Sequence, residues 1–160
     1  MRLSAHFSLE ELIHSETARR KQIANEPGAP ELANLTDLCN LILEPSRELV
    51  GPLVVNSGYR CEALNKIVKG VGKTLNDDGT VKKEGSAHMY GRAADVTPID
   101  MQLEKAFDLL RGSDIPFDQI ILEPGWLHLG MAKHGVQPRR QALIATRTTN
   151  GMAYHKAEEL

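Results

Sequence analysis

Three observations predict an α+β fold. Apolar residues at helical spacing are concentrated before Gly51. Strand-like segments dominate the rest of the chain, with one well-patterned helix among them. The stretch FDQIILEPGWLHLG reads as two strands joined by a turn at Glu123-Pro124-Gly125. Helices first and strands later favour segregated elements over a wound parallel sheet. With 160 residues the chain is read as one domain, able to bury roughly two thirds of its unfolded surface without staples.

Ser8 and Glu11 in SLEELIHSETARR form a capping box that opens the first helix, and Phe7 and Leu12 can staple its start. NEPGAP breaks the chain. Leu32, Leu35, Leu38, Cys39 and Ile42 share one face of a second helix, which Pro45 is expected to kink or end. Leu53 to Val55 is a short buried strand running into a turn, and ALNKIVKG a brief helix stopped by Gly70. Residues 72–85 are polar and turn-rich, with Asp78-Gly79 as a hairpin signal, and are read as a mobile loop, either a flap over a cleft or an unrelated excursion. Ala93 to Thr97 is a strand. Leu103, Ala106, Phe107 and Leu110 face one side of a helix ending at Gly112, and RRQALIATRT is a last strand after the FDQIILEPGWLHLG pair.

Composition excludes several classes of function. A net charge of −2 gives no general attraction to nucleic acid or to acidic membranes. Arg19-Arg20-Lys21 and Arg139-Arg140 are too short to change that, and each is read as a solvated face or loop. Cys39 and Cys61 make neither a CxxC nor a disulfide framework. No apolar run approaches a membrane span, and MRLSAHFSLEEL lacks the apolar centre of a signal peptide. The expectation is a protein made and kept in the cytosol until another factor releases it.

The chemistry lies in GSAHMYGRAADVTP. His88 and Asp95 are seven positions apart. On a helix that offset separates them by ~10 Å of rise, and on a strand it points them to opposite faces. A shared ion therefore needs a bend, which Gly91 permits, while Ala93 and Ala94 keep bulk low. Asp95 in the apolar run AADV is costly to bury unless a cation pairs with it. His128, between leucines in WLHLG, completes a set of two imidazoles and one carboxylate suited to zinc. The residues alone leave open a loop histidine beside an aspartate capped by backbone amides. His6, His14, His134 and His155 are read as surface residues.

Ser86-Ala87-His88-Met89-Tyr90-Gly91-Arg92-Ala93-Ala94-Asp95 resembles the SxHxxGxAxD motif of the D-alanyl-D-alanine carboxypeptidase-like zinc peptidases, the M15 type. Trp126-Leu127-His128 is similar to their WxH element, and Ser57-Gly58-Tyr59-Arg60 to their SGYR segment, with Asn65 at a familiar spacing. FSLEEL, SETARR, the NL…LEPSREL helix and RRQALIATRT…GMAY resemble the single-domain branch often encoded by bacteriophages. The resemblance implies a small hedgehog/DD-peptidase-like domain, a mostly antiparallel sheet with helices packed on one side. It implies one zinc ion on His88, Asp95 and His128. Arg60 would contact a substrate carboxylate or polarised carbonyl, Ser86 would position the peptide, and Tyr59 and Trp126 would line the substrate site. The implied activity is hydrolysis of peptidoglycan stem peptides, as a carboxypeptidase or an endopeptidase of the endolysin type, by a monomer with no nucleic-acid or membrane partner.

One position departs from the pattern. Relatives place an acid three residues before the last histidine, where this chain has Gly125. Glu123, five before His128, is assigned as general base, and Asp118 is read as the anchor of its strand. Two other readings remain: a non-catalytic wall-binding or virion module on the same fold, and an iron oxygenase using a facial triad. The seven-residue offset and the predicted helices argue against the oxygenase, whose first histidine and acid usually lie two residues apart in an all-β barrel.

Overall fold

In a computed structural model, residues 1–158 are described. The capping box forms as expected: the Ser8 hydroxyl accepts from the Glu11 amide while the Glu11 carboxylate accepts from the Ser8 amide. Helix α1 (Leu9–Ile13) is nevertheless short, because His14 adopts an extended conformation. Ser15 then caps a separate helix, α2 (Glu16–Lys21). SLEELIHSETARR is thus two helices, each with its own serine cap. Phe7 and Leu12 are both buried in the core.

The second predicted helix runs further than Pro45 suggested. Helix α3 (Ala29–Leu38) passes through a π-helical turn, Cys39–Leu43, into α4 (Glu44–Val50). Pro45 sits in the first turn of α4, where its missing N–H is tolerated. The wider π turn ahead of it, closed by the Glu44 amide on the Cys39 carbonyl, accommodates the ring without ending the rod. Cys39 is buried within that turn, and burial pushes its thiol up to about 12. Cys61 is half-buried and free.

Strand β1 (Leu53–Ser57) comes next, then α5 (Glu62–Ile67) and a small exposed hairpin of β2 (Thr74–Leu75) and β3 (Val81–Lys83) around the predicted Asp78-Gly79 turn. A 3₁₀ turn, Ala87–Tyr90, leads into β4 (Ala93–Pro98), and α6 (Leu103–Arg111) ends at Gly112 as its pattern predicts. Strands β5 (Phe117–Glu123), β6 (Trp126–Met131), β7 (Gln141–Thr148) and β8 (Gly151–Lys156) complete the chain. The sequence reading missed β8, although Asn150-Gly151 is a hairpin signal.

The main sheet has the order β1-β4-β6-β5-β7-β8. Only the β5–β7 contact is parallel; the other pairings are antiparallel. Alternation gives the central strands two unlike faces. Ala94, Val96, Leu127, Leu129 and Ile120 are buried against α6 and the π turn, in one cluster with Leu35, Leu38, Ile42 and Phe107. Asp95, His128 and Glu123 occupy the other face. Arg139 and Arg140 are not simply solvated: Arg139 grips the Asp118 carboxylate, and Arg140 lies over the Phe117 ring, 4.5 Å from its centroid. Among the described residues no helix is long and apolar enough to cross a membrane.

Candidate metal centre

Asp95 on β4 and His128 on β6 are direct register partners. Paired residues project from the same face, so carboxylate and imidazole meet across the ladder. His128 Nδ1 stands 3.0 Å from Asp95 Oδ1. His88 reaches that oxygen from the 3₁₀ turn, with Nε2 at 3.3 Å. The bend that the seven-residue offset required is Gly91, which closes the turn at φ +68°. A Cβ there would also lie 2.5 Å from the Glu31 carbonyl oxygen, so both conformation and space call for glycine. Ala93 and Ala94 are fully buried where the chain returns.

The ring of His88 is oriented by its outer nitrogen. Nδ1 lies 2.7 Å from the Gly58 carbonyl oxygen. A carbonyl can only accept, so Nδ1 carries the proton and Nε2 presents its lone pair towards Asp95. Burial lowers the His88 pKa, outweighing the pull of Asp95, and keeps the imidazole neutral. Burial opposes ionisation of Asp95, yet its carboxyl is held well below the usual carboxylate range, with the hydrogen bond to His128 among the causes. The result is one carboxylate and two imidazoles whose ligand atoms all lie within 4.8 Å of one another. Metal bonds of about 2.0–2.2 Å in a tetrahedron put ligand atoms roughly 3.4 Å apart. The 3.0 and 3.3 Å separations are close to that spacing, and the donor set fits zinc.

Beside the cluster runs a cleft lined by Glu16, Asn56, Ser57, Tyr59, Arg60 and Asp95. Arg60 enters it from the turn after β1, its backbone amide tied to the His88 carbonyl. Its guanidinium reaches the Ser86 hydroxyl at 3.4 Å, while its buried Nε has no partner among the described residues. Burial lowers the Arg60 pKa, and the Asp95 charge opposes this only in part. A desolvated guanidinium with an unused donor is a receptor for an anionic or polarised oxygen. Tyr59 is mostly in the core, 8% exposed, with only part of its surface on the cleft. Asn65 is buried and binds the Val71 carbonyl, bracing the root of the β2–β3 hairpin.

Glu123 and Trp126 pair across the tight turn between β5 and β6. Glu123 lies two residues from Ile121, the register partner of His128, and therefore on the ligand face. Burial first and the Asp95 charge second raise its pKa; His128 and the Tyr154 hydroxyl oppose the shift. Asp118 is held by Arg139, as the reading of it as an anchor expected. Sequence reasoning missed two contributors: the Gly58 carbonyl, invisible to side-chain motifs, and Tyr154 on β8, which the Asn150-Gly151 signal could have revealed.

A family model for peptidase M15 matches residues 5–129, a span that includes His88, Asp95 and His128. The chain belongs to the peptidase M15 family. Membership makes the converged side chains intelligible as the metal centre of a zinc-dependent peptidase family. The match ends within β6, so β7 and β8 of this M15 peptidase lie beyond it. No curated protein and no solved structure gives a significant match.

Proposed function

We propose that the protein is a zinc peptidase that hydrolyses peptide bonds in peptidoglycan stem peptides, as a D,D-carboxypeptidase or an endopeptidase. The observation that carries this reading is the convergence of His88 and His128 on Asp95, next to a desolvated arginine and a half-buried glutamate. Zinc on such a ligand set supplies Lewis acidity, acidifying water and polarising a carbonyl. Glu123 takes the proton of the attacking water and returns it to the leaving amine. Its raised pKa suits both halves of that transfer. Arg60 offers its fork to a terminal carboxylate or to the developing oxyanion, steadied by the Ser86 hydroxyl. Trp126, beside Glu123, and the exposed edge of Tyr59 supply apolar surface for the peptide. A hedgehog/DD-peptidase-like domain acting as a monomer, cytoplasmic on synthesis and reaching the wall after release, fits this activity, and an endolysin role in a bacteriophage is the setting the motifs resemble.

The test uses purified peptidoglycan. Wild type should release new amino groups, and mass analysis of the fragments identifies the bond. Glu123→Ala should keep zinc and lose release. Equal activity in that variant removes Glu123 as the base. A zinc-loaded wild type with no activity favours the binding module instead.

A further inference from the structure

The last strand adds no residue to the buried core among the described residues. Every residue of β8 is exposed, and Tyr154 itself is 53% exposed. Its register is nevertheless informative. Tyr154 pairs with Ala145 on β7. Ala145 in turn stands one step past the Leu122–Ile144 pair, beside Glu123 on β5. Glu123 pairs with Trp126 on β6. Tyr154, Ala145, Glu123 and Trp126 thus form one cross-strand row on the ligand face.

Two strand spacings, about 10 Å, separate the backbones of β8 and β5. The residue between them has only a methyl group, which leaves room for the phenol and the carboxylate to lean together. Ala145 is buried on a strand margin that is otherwise open, as expected if the two larger side chains cover it.

We infer that Tyr154 is a positioning residue of the active site: its hydroxyl donates to one oxygen of Glu123 and leaves the other oxygen free for water. The inference rests on the peptidase reading and extends the site two strands beyond the family match. The two groups influence one another in the expected sense. The phenol helps the carboxylate to ionise, while burial first, and then the charges of Glu123 and Asp95, keep the phenol protonated as a donor. Glu123 ends its strand at a turn, where a carboxylate without that hydrogen bond can rotate away.

The experiment compares Tyr154→Phe with wild type, both zinc-loaded, on a soluble stem peptide. The expected result is a fall in kcat of about 10- to 100-fold, the scale of a misplaced catalytic group, with KM and zinc content unchanged. A parallel measurement needs no activity: melting temperatures of Tyr154→Phe, Glu123→Gln and the double variant. A hydrogen-bonded pair makes the double variant's shift smaller than the sum of the single shifts. An active wild type matched by an equally active Tyr154→Phe overturns the inference, as do additive melting shifts. An inactive wild type with non-additive shifts overturns the peptidase reading and leaves the Tyr154–Glu123 contact standing.

Discussion

Two of the hairpins among the described residues, β2–β3 and β5–β6, are announced by the same kind of turn signal. Hairpin β2–β3 turns at Gly79 and hairpin β5–β6 at Gly125, both glycines at positive φ. Their fates differ. Every residue of β2 and β3 is exposed, and the two strands form a sheet of their own. β5 and β6 lie at the centre of the main sheet, with Ile120, Leu127 and Leu129 almost wholly buried, and carry Glu123 and His128. Local turn chemistry makes a hairpin in both places. What decides whether it can hold a side chain in a fixed place is the apolar stripe on its reverse face, which VKK lacks and WLHLG has.

The largest effect that breaks the comparison is loss of the metal. His128→Ala removes a ligand from the central hairpin and should lower zinc affinity by more than about 100-fold, since removing even an outer partner of a ligand costs 10–100-fold. Competition with a chelator of known affinity reads this directly. Lys82→Ala, an exposed change in the outer hairpin, should leave affinity unchanged. Equal losses in both would mean that the hairpins are energetically linked.

Packing should show the same contrast. Leu127 is fully buried, whereas Val81 is half exposed. Leu127→Ala should destabilise the fold by about 2–5 kcal/mol through lost burial and a cavity. Val81→Ala should stay within about 0.5 kcal/mol. Denaturant unfolding of the two variants tests whether the buried stripe makes the difference.

How far the sequence revealed this depended on range. Short-range signals were legible: the Ser8–Glu11 cap, the glycine after His88, the turn before Trp126, the alternation that sets His128 apart from its leucines. The grouping of His88, Asp95 and His128 was legible because a buried aspartate needs a partner, whatever the fold. Two things were not. Pro45 looks like a stop, and only the π turn, a response to packing along the whole rod, explains why it is not. Tyr154 comes into one row with Glu123 through a register spanning three strands; Asn150-Gly151 signals the β7–β8 hairpin, but no local pattern encodes the parallel pairing of β7 with β5. The Gly58 carbonyl that orients His88 is a backbone atom, so side-chain motifs cannot show it.

A smaller effect concerns pH in the metal-free protein. The folded His88 has a pKa below its unfolded value because it is buried. The unfolded chain therefore binds that proton more readily, and stability falls as pH drops below about 6.5, the ordinary imidazole value. Asp95, its carboxyl held low beside His128, stays ionised across this window. Unfolding free energies between about pH 7.5 and 5.5 should decline with acidification, and His88→Asn should flatten the decline. The outer hairpin has no counterpart: Asp78 is exposed, bound only to Thr80 within its own turn. A flat wild-type profile would mean that His88 opens to solvent.

The smallest expected effect comes from removing the outer hairpin altogether. The segment is tied down at its root, where Val71 accepts from Ser86 and from Asn65, and where Glu84 holds both Arg92 and Lys133. None of Thr74 to Lys83 is among the residues lining the cleft beside Arg60. Replacing residues 74–83 by a short Gly-Ser turn keeps those root contacts. Loop closure changes little with length, about 0.6 kcal/mol for each doubling, so unfolding and zinc affinity should barely move. Hydrolysis of a small soluble peptide should persist as well, because Arg60, Glu123 and the ligand cluster stand on other elements. A selective loss of turnover on intact peptidoglycan, with the small peptide still cut, would make the hairpin a flap that engages the wall polymer. Loss on both substrates would mean that its root, and with it the His88 turn, depends on the hairpin. In that case the division between a scaffolded hairpin and an ornamental one would fail.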